Sequence, residues 1–138
     1  SLSITKELYL KKDNKKDSGL TKVTGDLTIG DLVTVRLIIS AKEDMEFVHL
    51  KDMRASCFEP VDVLSSYQYK DNLGFYKSTK DAATHFFFDK INKGTYVLEY
   101  DIRVNNKGSF SNGITTIQSM YAPEFTSHSN GIQVKVSN

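Results

Sequence analysis

Residues 96–104 alternate without a fault. Tyr96, Leu98, Tyr100, Ile102 and Val104 fall on one side; Val97, Glu99, Asp101 and Arg103 fall on the other, continued by Asn105. A period of two belongs to a strand with one face buried, because successive side chains of an extended chain point to opposite faces. Residues 32–40 repeat the pattern with Val33, Val35, Leu37 and Ile39 on one face, and Leu32 and Ile38 on the other mark a strand partly covered on both sides. Shorter alternating runs occur at residues 2–10 and 132–136, the latter setting Ile132, Val134 and Val136 against Gln133 and Lys135. Between the runs stand turn signals: Gly25-Asp26, Gly30-Asp31, Asn92-Lys93-Gly94 and Asn106-Lys107-Gly108.

The remaining stretches are less regular. Residues 46–53 alternate imperfectly and carry His49 between Val48 and Leu50, and residues 55–66 have no period and contain Pro60, which reads as a crossing between sheets. Tyr67, Tyr69, Phe75 and Tyr76 flank a polar turn at residues 70–74, predicting an aromatic hairpin or ordered loop. Residues 78–84 have the chain's one helical signature, a single turn at most, capped by Ser78 or Thr79 with Ala82 and Ala83 inside. Phe86-Phe87-Phe88 asks for burial on both faces, and residues 109–120 are expected to return antiparallel to 96–104. Short strands, Gly/Asn turns and almost no helix predict an all-β, two-sheet antiparallel β-sandwich with at most one short helical turn. The 33–39 and 96–104 faces would meet across sheets about 10 Å apart, with the connections 11–19 and 55–66 changing sheet.

A length of 138 residues fits one domain, large enough to bury roughly two-thirds of its unfolded surface. Eighteen basic and 17 acidic residues leave a net charge of +1, which argues against nucleic acid or an anionic membrane as the main partner. No apolar run reaches the ~20 residues of a membrane-spanning helix, and the alternation begins at Ser1-Leu2-Ser3-Ile4. The expectation is a single domain, residues 1–138, cut from the C-terminal end of a larger chain. Cys57, the one cysteine, has no disulfide partner and no adjacent His, and reads as a small buried hydrophobe.

Few residues suggest catalysis. His49, His85 and His128 lack metal-ligand spacing, and His49 and His85 read as strand positions near a sheet face. Gly-x-Ser-x-Gly and phosphate-cradling glycine loops are absent. Glu124 is the one acid in an apolar setting. No enzyme activity, cofactor or metal is expected.

Contact surfaces remain. Residues 113–129 begin as a strand, with Ile114, Thr116, Gln118 and Met120 on one side and Thr115, Ile117, Ser119 and Tyr121 on the other. Pro123 cannot donate to a ladder and biases Ala122 toward extended backbone, so the strand should stop near Tyr121 and give way to a loop. That loop holds Tyr121, Glu124, Phe125 and His128. Met120 and Tyr121 are neighbours and cannot both enter the core from a straight strand. Either the pair is ordinary packing, with the Tyr121 hydroxyl on a backbone carbonyl, or it faces a partner.

The runs Gly94-Thr95-Tyr96-Val97-Leu98-Glu99-Tyr100, Gly108-Ser109-Phe110-Ser111-Asn112-Gly113 and Met120-Tyr121-Ala122-Pro123-Glu124-Phe125, closed by His128-Ser129, resemble the last domain of bacterial α2-macroglobulins. Asp81-Ala82-Ala83-Thr84 and Phe86-Phe87-Phe88-Asp89 are similar to it too. The resemblance spans roughly residues 27–136 and is specific in the Met-Tyr-x-Pro segment. It implies an immunoglobulin-like or macroglobulin receptor-binding-type sandwich within a periplasmic or cell-envelope protease trap, whose parent chain is lipid-anchored. In such a trap an internal thioester captures the attacking protease. This domain would be non-catalytic and would pack on the thioester domain of the same chain, with Met120 and Tyr121 shielding the reactive bond and Pro123, Glu124 and Phe125 completing the contact. Proteases, host or bacterial, would be met only through the parent, and the domain itself would touch no membrane. The thioester motif is not in this stretch, and no Gln follows Cys57 closely. Two other readings fit the same scaffold. One is a carbohydrate-binding module using Tyr67, Tyr69, Phe75 and Tyr76, although tryptophan is absent. The other is a structural immunoglobulin-type module with no site.

Overall fold

A computed structural model describes residues 2–12, 19–62, 66–70, 73–80 and 82–137. Among these described residues fourteen strands run in the order β1 (Leu2–Lys11), β2 (Leu20–Lys22), β3 (Leu27–Thr28), β4 (Leu32–Ala41), β5 (Met45–Met53), β6 (Phe58–Pro60), β7 (Ser66–Lys70), β8 (Leu73–Thr79), β9 (Ala83–Ile91), β10 (Gly94–Val104), β11 (Gly108–Asn112), β12 (Thr115–Ser119), β13 (Thr126–Ser129) and β14 (Ile132–Ser137). One sheet has the order β2-β1-β4-β10-β6 and the other β13-β12-β5-β9-β8-β7. They form a β-sandwich, and no helix occurs among the described residues. A third, small sheet, β11-β14-β3, includes a parallel pairing of β14 with β3 that sets Val136 beside Leu27.

The alternating runs fold as their period dictates. Val33, Val35, Leu37 and Ile39 are completely buried, as are Val48, Leu50, Ile102 and Ile117. The faces of residues 33–39 and 96–104, however, are not opposed across the sandwich. β4 and β10 are neighbours in one sheet, pairing Val33 with Ile102 and Leu37 with Leu98, and the Tyr100 ring of β10 meets Phe86 of the other sheet with centroids 6.1 Å apart.

Several irregular stretches depart from expectation. The described residues of 78–84 hold no helical turn: β8 ends at Thr79, Lys80 N–H donates to the Ala83 carbonyl at 2.9 Å, and Thr79 pairs with Thr84 as β9 starts. A hairpin between two core strands outweighs the weak helical preference of two alanines. Phe86 and Phe88 are buried, but Phe87 is 37% exposed on the outer face. The 55–66 stretch does cross between sheets as expected, from β5 in the six-stranded sheet to β6 in the five-stranded one, and β6 pairs with the end of β10, putting Pro60 on a sheet edge where its missing N–H is harmless. The 11–19 connection does not change sheet; it joins β1 to its neighbour β2, and residues 13–18 themselves lie outside the described residues. Residues 109–120 do not return along β10. They split into β11, which pairs with β14, and β12, which pairs with β5 and β13. Gly113 stands at the split, where a Cβ would come 2.5 Å from the Met53 Cβ.

A polar cluster inside the sandwich ties the two sheets together. Lys6 Nζ of β1 lies 2.6 Å from Asp52 Oδ1 of β5, with side chains 1% and 0% exposed. Asp52 Oδ1 also accepts from Thr115 Oγ1 at 2.6 Å, and its Oδ2 accepts from the Tyr100 hydroxyl. The ammonium donates further to the carbonyls of Met53, at 3.2 Å, and Gly113, at 3.4 Å. Burial, reinforced by Asp52, pushes the Tyr100 hydroxyl well above the usual tyrosine range.

Lys77 of β8, only 6% exposed, lies 5.3 Å from the centre of the Tyr100 ring. Burial lowers its pKa, partly opposed by Asp62 and Asp101.

Removing one partner of a buried ion pair strands the other in a low-dielectric interior, so Lys6→Met is expected to lower unfolding stability by about 3–5 kcal/mol, measured by urea denaturation. Lys77 gives the opposite sign. A base with a lowered folded-state pKa binds more protons when unfolded, so it destabilises the fold at neutral pH and ceases to do so above its unfolded value, about 10.4. Lys77→Met should therefore raise the urea midpoint at pH 7, and that advantage should shrink at pH 10.

Candidate functional site

The end of β12 forms an apolar tip. β12 stops at Ser119, two residues earlier than Pro123 alone suggests, because the chain turns at once. Ser119 N–H donates to the Phe125 carbonyl at 3.1 Å, and Phe125 N–H donates to Ala122 at 2.9 Å. The Thr126 hydroxyl closes the turn on the Pro123 carbonyl. Thr126 then opens β13, so His128 belongs to a strand opposite Thr116 and not to the loop.

The turn resolves the problem of the adjacent pair: neither side chain enters the core. Met120 is 53% and Tyr121 78% exposed. Pro123 and Glu124 are exposed beside them, while Phe125 is half-buried and packs on the core.

Phe47 joins the tip from β5. It is 41% exposed, and its ring meets Tyr121 edge-on with centroids 5.1 Å apart. Its carbonyl accepts from Met120 N–H at 2.8 Å. Phe47 is also the one non-glycine residue in the left-handed region among the described residues, at φ 53°, a conformation that costs of order 1 kcal/mol or more in a bulky residue. The twist there breaks the alternation of β5, so that Met45 and Val48 are both buried while Glu46 and Phe47 both face out. The sequence signal was the imperfect period of residues 46–53. Glu43, Asp44 and Glu46 line a shallow recess of about 310 Å³ beside Phe47, Tyr121 and Phe125.

A second feature crosses the outer face of the six-stranded sheet. Tyr67, Tyr76, Phe87, His49, Gln118 and Thr126 occupy one cross-strand row. His49 and His85, 36 residues apart, come together here. His49 Nε2 lies 2.9 Å from His85 Nδ1, and the rings are within 3° of parallel. Burial lowers the pKa of each, with His85 and Lys51 adding to the effect on His49, and Lys51, Lys80 and Arg54 adding to that on His85.

The aromatic residues proposed as a sugar platform do not make one. Phe75 is buried at 7% exposure, and the planes of Tyr67 and Tyr76 stand at 63°. The side chain of Tyr69 lies outside the described residues. Cys57 is fully buried, and burial pushes its thiol up to about 11, as an inert packing residue requires. No group of three or more His, Cys, Asp or Glu with metal-binding geometry occurs among the described residues, and no helix there is long and apolar enough to cross a membrane.

Comparison with known proteins places this arrangement. The family model of the bacterial alpha-2-macroglobulin MG10 domain matches residues 2–124, reaching further toward the N-terminus than the sequence resemblance and ending at Glu124 in the tip. No curated protein matches the chain. Among solved structures, Salmonella alpha-2-macroglobulin reacted with methylamine is similar over 99% of this chain, with 21% identity and a TM-score of 0.75. Trypsin-activated alpha-2-macroglobulin from Escherichia coli is similar over 99% at 15% identity and a TM-score of 0.77. The native E. coli protein from domain MG7 to the C-terminus is similar over 99% at 18% identity and a TM-score of 0.74. The chain spans 9%, 10% and 23% of those three chains. These structural likenesses establish the fold, and the family model over residues 2–124 establishes the kinship: the chain belongs to the MG10 domain family of bacterial alpha-2-macroglobulins.

Proposed function

We propose that this domain is a non-catalytic, C-terminal part of an alpha-2-macroglobulin-like protease trap and that its Met120–Tyr121 tip packs on the thioester domain of the same parent chain. The observation that carries this reading is the joint exposure of Met120, Tyr121 and Phe47 at one end of a rigid sheet. Three large apolar side chains held by backbone hydrogen bonds form a patch left exposed among the described residues.

A thioester is an acyl donor that water destroys, so a dry cover preserves it. Each large apolar side chain buried at such a seam contributes about 1.5–3 kcal/mol, which is enough to hold a resting state and weak enough to release it. The acidic rim of Glu43, Asp44 and Glu46 fits a partner surface with basic groups around an apolar hollow. Pro123 stiffens the turn, and half-buried Phe125 anchors it. The parent would work in the periplasm or cell envelope, lipid-anchored, and would meet its target proteases through other domains.

In the full-length parent, Tyr121→Ala should speed reaction of the thioester with methylamine by about tenfold or more, the kinetic equivalent of losing 1.4 kcal/mol or more of cover. An unchanged rate in a parent whose thioester is shown to be intact removes the shielding role.

A further inference from the structure

The paired histidines on the outer face have no part in the tip, and their geometry is specific. The nitrogens His49 Nε2 and His85 Nδ1 are 2.9 Å apart, the ring centroids 5.1 Å, and the planes differ by 3°. In rings this close to parallel, a centroid separation near the greatest that a 2.9 Å nitrogen separation permits means that the two nitrogens face one another head-on. One proton sits between them in a hydrogen bond; when a cation takes that place, the donating ring carries its proton on its other nitrogen instead, the neutral tautomer that leaves both facing nitrogens with a lone pair.

We propose that His49 and His85 form a two-coordinate site for a soft monovalent cation, Cu(I) or its analogue Ag(I), held on the line between the two facing nitrogens. Imidazole nitrogen is a good copper ligand, and closed-shell monovalent cations of this class accept two ligands in a straight line. Bonds of about 2 Å each need the nitrogens about 4 Å apart, roughly 1 Å wider than they stand. Both rings are half-exposed, so a swing of the side chains supplies that opening without moving the strands.

The surroundings choose the charge and the ligand number. Among the described residues, no further His, Cys, Asp or Glu completes a group of three with this pair, so the four-coordinate sphere that zinc prefers is missing. Lys51 stands opposite His85 in the strand register and, with Lys80 and Arg54, makes the setting cationic. A dication is penalised there twice as heavily as a monocation. Phe87 lies nearly parallel to His49, with centroids 4.7 Å apart, and covers one side of the pair with an apolar ring. That cover favours a weakly hydrated soft cation over a strongly hydrated hard one.

The test is titration of the 138-residue chain with silver nitrate in chloride-free buffer, followed by calorimetry and by imidazole nitrogen NMR. One equivalent should shift the His49 and His85 ring signals. His49→Gln and His85→Gln should each weaken binding by more than the ~10–100-fold that losing an outer-shell partner costs, with folding checked by circular dichroism. Met120→Leu and Cys57→Ala, which remove the exposed thioether and the buried thiol, should leave affinity unchanged. Cu(I) kept reduced under anaerobic conditions should compete with Ag(I) for the same two rings, and zinc acetate should bind at least tenfold more weakly. Affinity that survives both histidine variants, that follows Met120 or Cys57, or that is matched by zinc overturns the proposal.

Discussion

A lysine and an aspartate facing each other in a nearly dry interior hold the two sheets in register. Lys6 comes from β1 in one sheet and Asp52 from β5 in the other, and neither keeps access to water. Such a pair is tolerable only when its remaining hydrogen-bonding capacity is met. Here Thr115 and Tyr100 add donors to the carboxylate, and two backbone carbonyls receive the ammonium. The cluster draws on β1, β5, β10 and β12, all of them inner strands of the two large sheets. A slip of any of them by one residue would turn its core side chains outward and leave a buried charge alone. The apolar faces supply most of the cohesion, and this cluster fixes how they are aligned.

Much of the fold was legible because strands of period two announce themselves. Residues 33–39 and 96–104 point inward where their alternation says they should. What alternation cannot say is which strand lies next to which. β4 and β10 became neighbours, not opposites, because pairing partners are chosen by long-range geometry. The charged members of the core were also hidden. Lys6 sits among Leu2, Ile4 and Leu8 on the inward face of β1, and Asp52 follows Leu50 on the inward face of β5, but a charged residue in an apolar row reads as an exposed position until its partner is known. The histidine pair was invisible for the same reason: 36 residues of chain separate two rings that share one hydrogen bond.

At the tip the sequence was informative about composition and silent about shape. Pro123 marked the end of a strand, and the Met120–Tyr121 pair marked a bend. The third apolar member, Phe47, came from a different strand, and its role rests on a backbone twist that side-chain patterns record only as a broken alternation. The tip is thus built from the sheet as much as from its loop. The strain at Phe47 is set against an edge-on ring contact with Tyr121 and the hydrogen bond from Met120, both of which hold the exposed side chains in place.

The parallel pairing of β14 with β3 has a consequence for the order of events in synthesis. Leu27 is 2% exposed in the finished domain, and its strand neighbour Val136 lies more than a hundred positions later. Synthesis from the N-terminus leaves that leucine without its β14 neighbour until most of the other strands of this domain have been made. Contacts this distant along the chain slow the approach to the native state. Leu27 therefore waits within the unfinished domain, unclosed and adhesive, for β14.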